Sequence, residues 1–85
     1  MNEDVEIRLK RLKMRSMRRG IKEMDLILAA YADRHLAAMS EAELDLYEAL
    51  LHENDQDLYQ WVTGQVPAPQ RFAALIEEIS LTFQS

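Results

Sequence analysis

Residues Arg15–Leu28 read RSMRRGIKEMDLIL, a run that gathers Arg15, Arg18, Arg19 and Lys22 around one of the chain's two glycines and then turns apolar. A glycine at such a place either ends a helix or lets another backbone approach closely, because it lacks a Cβ. The stretch therefore separates two helices, and the pattern continues on both sides of it. Before it, Val5, Leu9 and Leu12 repeat at +4 and +3 and predict a first helix over roughly residues 3–18. Its opposite side carries Arg8, Arg11, Arg15 and Arg18 at +3, +4 and +3, so the cations form a line. Gly20 is expected to close this helix, with Arg18 and Arg19 at its negative dipole end.

After the glycine, a second helix is predicted from about Ile21 to Leu36. Met24, Ile27, Leu28 and Tyr31 make one face, while Leu26, Ala29, Ala30 and Ala32 make it apolar nearly all round. Such a helix belongs at the centre of a bundle or against a partner. Glu23 and Asp25 stand in its first turn, where the dipole favours anions. Ser40-Glu41-Ala42-Glu43 has the spacing of a capping box and starts a third helix over about residues 41–53, with Leu44, Tyr47, Leu50 and Leu51 inward. Asn54 or Asp55 caps a short fourth helix with Leu58, Trp61 and Val62 on one face, and Gly64 stops it. Pro67 and Pro69 mark a rigid connection. Phe72, Leu75, Ile76, Ile79 and Phe83 then place a final amphipathic helix. With no two-residue alternation anywhere, the fold class is all-α: one small domain, residues 1–85, as a five-helix bundle.

Charge is divided unevenly along the chain. Residues 1–22 hold eight of the ten Lys and Arg against three acids, a net of +5, whereas residues 23–85 carry −10. A basic face of this kind either docks something acidic or is neutralised by the protein's own acidic half. Cysteine is absent, which removes disulfides and thiolate metal sites and fits a reducing, cytoplasmic setting. The acidic start MNEDVEIRLK has no apolar run, and no stretch approaches the ~20 apolar residues of a membrane span.

Reactive chemistry finds little support. His35 and His52 have no histidine or cysteine at helical ligand spacing, so no metal site is expected. Ser16, Ser40, Ser80 and Ser85 lack a nearby histidine, and Ser40 is already explained as a cap. Two glycines and no GxGxxG or GxxxxGK[ST] motif leave no phosphate cradle, so no stably bound cofactor is expected. Nucleic acid is disfavoured by the pI near 4.9 and by the lack of aromatics among the cations. The expectation is a protein that binds and does not catalyse. Its candidate partner-binding residues are Arg19, Gly20 and Glu23, with Arg18, Lys22, Asp25, Arg15, Arg11 and Arg8 around them. Tyr59 and Trp61 are expected in core and rim.

The run RRGIKEMDLIL (18–28), YEALL (47–51) and DQDLYQWVTG (55–64) at this separation resemble the SdhE family, small bacterial flavinylation factors of succinate dehydrogenase related to mitochondrial succinate dehydrogenase assembly factors. The resemblance covers almost the whole chain. Lys22 and Met24 depart from the commonest pattern, where apolar residues and leucine are frequent. The resemblance implies a five-helix assembly factor, not an enzyme. It would bind the flavoprotein subunit of succinate dehydrogenase, often also that of fumarate reductase, and promote covalent attachment of FAD to it. Arg19, Gly20 and Glu23 would form the functional motif, with Gly20 at the contact centre and the FAD held by the partner. A monomer when free, with no nucleic acid and no membrane insertion, completes the expectation. The alternative is a regulatory protein-binding module of antitoxin type.

Overall fold

Short-range capping chemistry sets most of the helix starts in the computed structural model, which describes residues 4–84. Helix α1 spans Val5–Ser16, with the Asp4 carboxylate accepting from the Glu6 N–H. Helix α2 spans Lys22–His35 and runs on into a 3-10 turn, Leu36–Ala38. Helix α3, Glu41–Leu51, opens with the expected box: Glu43 N–H to Ser40 Oγ at 3.2 Å, Ser40 N–H to Glu43 Oε1 at 2.8 Å. The Ser40 N–H, and after it the Ser40 hydroxyl, hold the Glu43 carboxyl below its ordinary range. Asn54 caps α4, Asp55–Val62, by accepting from Gln56 N–H. Gly64 ends α4 at φ +81°, and Gln65 N–H reaches Gln60 O at 2.9 Å across the turn, a geometry in which glycine avoids the Cβ penalty. A second 3-10 turn, Gln70–Phe72, leads into α5, Ala73–Gln84. The described residues are all-α, as expected.

The end of the first helix differs from the sequence reading. The first helix was expected over residues 3–18 with Gly20 as its stop; it ends at Ser16, Met17 caps it in the right-handed region, and Gly20 has no positive φ. Glu3 lies outside the described residues.

Packing centres on α2, which touches α1, α4 and α5. Met24, Leu28 and Tyr31 are fully buried there, whereas Leu26, on the remaining side, stays 64% exposed. Leu12 and Leu36 join them from below, with Leu44, Tyr47, Leu50 and Leu51 from α3, Leu58 and Val62 from α4, and Phe72, Leu75, Ile76 and Ile79 from α5. The outermost apolar positions of the end helices overshoot this core: Val5 and Phe83, read as inward, are both at least half exposed. Trp61 is half-buried and stacks on Phe72, ring centroids 6.2 Å apart.

One buried polar group ties α1 to α3. Ser16 donates to Leu12 O at 2.8 Å, so the Tyr47 hydroxyl, 2.6 Å away, is left to donate to Ser16 Oγ. Burial pushes the Tyr47 phenol up to about 12. Ser16→Ala strands that hydroxyl in the core and is expected to cost about 1–3 kcal/mol. Tyr47→Phe costs less, because Ser16 keeps Leu12 O. Thermal melts of the two variants check the order, and equal losses would contradict it.

The same helix pair carries the charge cluster. Arg8 reaches Asp45 at 2.6 Å and Glu48 at 3.0 Å; Arg11 reaches Glu48 at 2.9 Å, and Arg15 lies 3.7 Å from it. Three of the four arginines in the line are thus paired inside the molecule. Hydrogen bonds from Arg11, then Arg8, hold the Glu48 carboxyl below its ordinary value. A depressed folded value means stability that is present above the unfolded pKa, about 4.3, and lost as pH falls through the folded one. Glu48→Gln should therefore be less stable than wild type at pH 7 by about 1 kcal/mol, with the gap closing toward pH 3. Urea unfolding at pH 7, 4 and 3 measures it.

Candidate functional site

Residues 17–21, between α1 and α2, lie across the α3–α4 junction and are fastened to it by Arg19. Its Nη1 donates to Leu51 O at 2.6 Å and its Nη2 to Glu53 O at 2.8 Å. These are carbonyls at the C-terminal end of α3, left without helical partners and favoured by a cation. Arg19 Nε donates to Asp55 Oδ1 at 2.6 Å, and the other Asp55 oxygen accepts the Gly20 N–H. The Arg19 N–H in turn donates to Asp25 Oδ1 at 2.5 Å. Two aspartates, one from α2 and one from α4, therefore clamp two consecutive amides of the Arg-Gly turn.

The clasp is partly desolvated, with the Arg19 and Asp55 side chains 10% and 16% exposed. Gly20 itself remains exposed. A Cβ there would lie 3.1 Å from Asp55 Oδ2, tighter than an ordinary contact. The bare main chain and the carboxylate that holds it are therefore in near contact.

The sequence-predicted residues separate into three groups. Arg19, Gly20 and Asp25 meet in the clasp. Arg8, Arg11 and Arg15 lie along α1 against α3, away from the turn. Arg18, Lys22 and Glu23 are exposed, and none has an ion pair or side-chain hydrogen bond among the described residues. Arg19 does not pair with Glu23; it turns inward to Asp55. Glu23 faces a groove of about 220 Å³ lined by Leu26, Ile27, Ala30, Tyr59 and Phe83.

Asp55 is the residue the sequence reading missed. It appears there only as one of two candidate caps, and Asn54 takes that role. The redundancy was the available signal: two adjacent cap-competent residues leave one free for another contact. Elsewhere, Tyr31 donates to Glu78 at 2.5 Å and stacks on His35, centroids 4.6 Å apart. Burial and that bond push the phenol above its ordinary value. Among the described residues, no group of three or more His, Cys, Asp or Glu side chains could hold a metal ion, and no helix is long and apolar enough to cross a membrane.

Fold and site together define a small all-α bundle built around a clamped, glycine-bearing helix junction. The chain belongs to the family described as flavinator of succinate dehydrogenase, whose model matches residues 10–82. Similar proteins named "Succinate dehydrogenase assembly factor 2, mitochondrial" occur in three yeasts. That of Candida glabrata is 44% identical over 75 residues, covering 85% of this chain and 49% of the relative. That of Debaryomyces hansenii is 44% identical over 73 residues, covering 82% and 51%. That of Scheffersomyces stipitis is 48% identical over 73 residues, covering 82% and 49%. The chain spans about half the length of these curated relatives.

Proposed function

We propose that this protein is an assembly factor that binds the flavoprotein subunit of succinate dehydrogenase, and also that of fumarate reductase, and promotes covalent attachment of FAD to it. Membership of the flavinator family supports the activity. The observation that carries the site is the exposed Gly20 main chain, held by Asp55 and flanked by Arg18, Lys22 and Glu23, which have no ion pair among the described residues. Main chain without a side chain lets a partner's surface come close, and charges of both signs around it select a complementary polar groove. Gly20 and Glu23 make the contact, with Arg18 and Lys22 at its edge. Arg19 and Asp25 hold the turn, and Arg8, Arg11 and Arg15 add to the basic field along α1.

On this reading the factor is not an enzyme and keeps no flavin of its own. The client supplies the FAD site and the acceptor histidine, and the factor biases the client's conformation. Binding shifts such an equilibrium only by its difference in affinity between the two states. A tenfold enrichment of the attachment-ready form needs about 1.4 kcal/mol of preference, which a modest interface supplies. The free factor is a monomer, and the cysteine-free chain suits a bacterial cytoplasm; the relatives above are named as mitochondrial.

Co-expression of the flavoprotein subunit with and without the factor, read by in-gel flavin fluorescence, tests the proposal. Covalent flavin should rise severalfold with the factor present. Equal fluorescence in both cultures would refute it.

A further inference from the structure

A groove of about 510 Å³ runs along α1, lined by Ile7 and Met14 and bordered by Lys10, Arg11, Arg15 and Arg18. Ile7 and Met14 are both about half exposed, seven residues and about 10 Å apart along the helix. Asp45 and Glu48 draw Arg8 and Arg11 toward α3, but Lys10 and Arg18 have no ion pair or side-chain hydrogen bond among the described residues. Two of the four bordering cations, Lys10 and Arg18, therefore keep charge that no acid among the described residues pairs with. The groove also ends at Arg18 and Arg19, next to Gly20, so one partner can cover both.

We propose that this groove is a second docking surface, and that its occupant is a partner-protein segment in which carboxylates flank apolar side chains. Complementary charge would steer the encounter, and the apolar floor would take the side chains between the carboxylates. A concave site suits a protein segment better than a flat bilayer. The −10 carried by residues 23–85 opposes a nucleic acid polyanion. The inference builds on the proposed binding to the flavoprotein subunit, and its test keeps the two apart.

Association of the purified subunit is measured by stopped flow for wild type, Ile7→Glu/Lys10→Glu and Arg34→Glu at low and high salt; Ile7 and Lys10 line the groove and lie outside the Gly20 contact. Arg34 is an exposed cation on α2 outside the groove. The double variant should melt like wild type, since Ile7 is exposed and Lys10 has no ion pair or side-chain hydrogen bond among the described residues. Its association rate should fall about tenfold at ~0.05 M NaCl and less than threefold at ~0.5 M, with Arg34→Glu within about twofold of wild type. If wild type does not bind the subunit, the proposed function fails and this inference with it. If wild type binds and the double variant associates at the same low-salt rate, or Arg34→Glu slows equally, the inference alone is overturned. Retention on duplex DNA or phosphatidylserine vesicles that the double variant loses, with subunit association unchanged, also overturns it.

Discussion

Asp55→Ala is expected to destabilise the free protein by about 2–4 kcal/mol, lowering the melting temperature by roughly 10–20 °C. The reason is what it leaves behind. Arg19 stays largely enclosed with its charge unpaired, and the Gly20 N–H loses its acceptor. The bonds from Arg19 to Leu51 O and Glu53 O survive, which keeps the loss below that of an isolated buried charge. Arg19→Lys fails for a related reason: an ammonium cannot span Asp55 and two carbonyls as a planar fork does. Combining Asp55→Ala with Arg19→Ala should give less than the sum of the single losses, with a coupling of about 1–3 kcal/mol. Urea unfolding of the four proteins measures that coupling. Strict additivity would show that the two side chains do not depend on each other.

Gly20→Arg separates function from folding. The backbone at Gly20 has no positive φ, so a side chain brings no conformational strain of that kind. Asp55 Oδ2 is the one described atom that a Cβ would crowd, at 3.1 Å, and the remainder of an arginine extends into solvent. Losing a glycine also reduces unfolded-chain entropy, which offsets part of the crowding. Stability should therefore change by no more than about 1 kcal/mol. Covalent flavin on a co-expressed flavoprotein subunit should nonetheless fall about tenfold or more, because the added side chain keeps the partner's surface away. A variant that melts normally and supports full flavin fluorescence would remove Gly20 from the interface.

These two outcomes also mark where the sequence was legible. The capping box at Ser40, the glycine stop at Gly64 and the buried faces of α2 and α3 follow from short-range chemistry and period, which depend on neighbours within a turn. Gly20 was placed correctly as a junction but for a different reason. Its amide is fixed by Asp55, 35 residues away. No periodicity reports such a contact. Arg19 was read as a partner-binding residue for the same reason, since its carbonyl partners belong to a helix end that exists only once α3 and α4 have packed. The line of arginines on α1 was visible; that Asp45 and Glu48 meet three of them depended on how α3 lies across α1. Val5 and Phe83 fit their helical stripes but lie beyond the core's edge, where an apolar stripe outruns what there is to pack against.

Hydrogen exchange, followed by mass spectrometry with and without the flavoprotein subunit, tests the central claim most directly. The account predicts that binding slows exchange in residues 17–26, around Gly20 and Glu23, while peptides covering the Pro67–Pro69 connection on the other side of α4 exchange at the free rate. Unchanged exchange through residues 17–26, with new protection elsewhere, would contradict it.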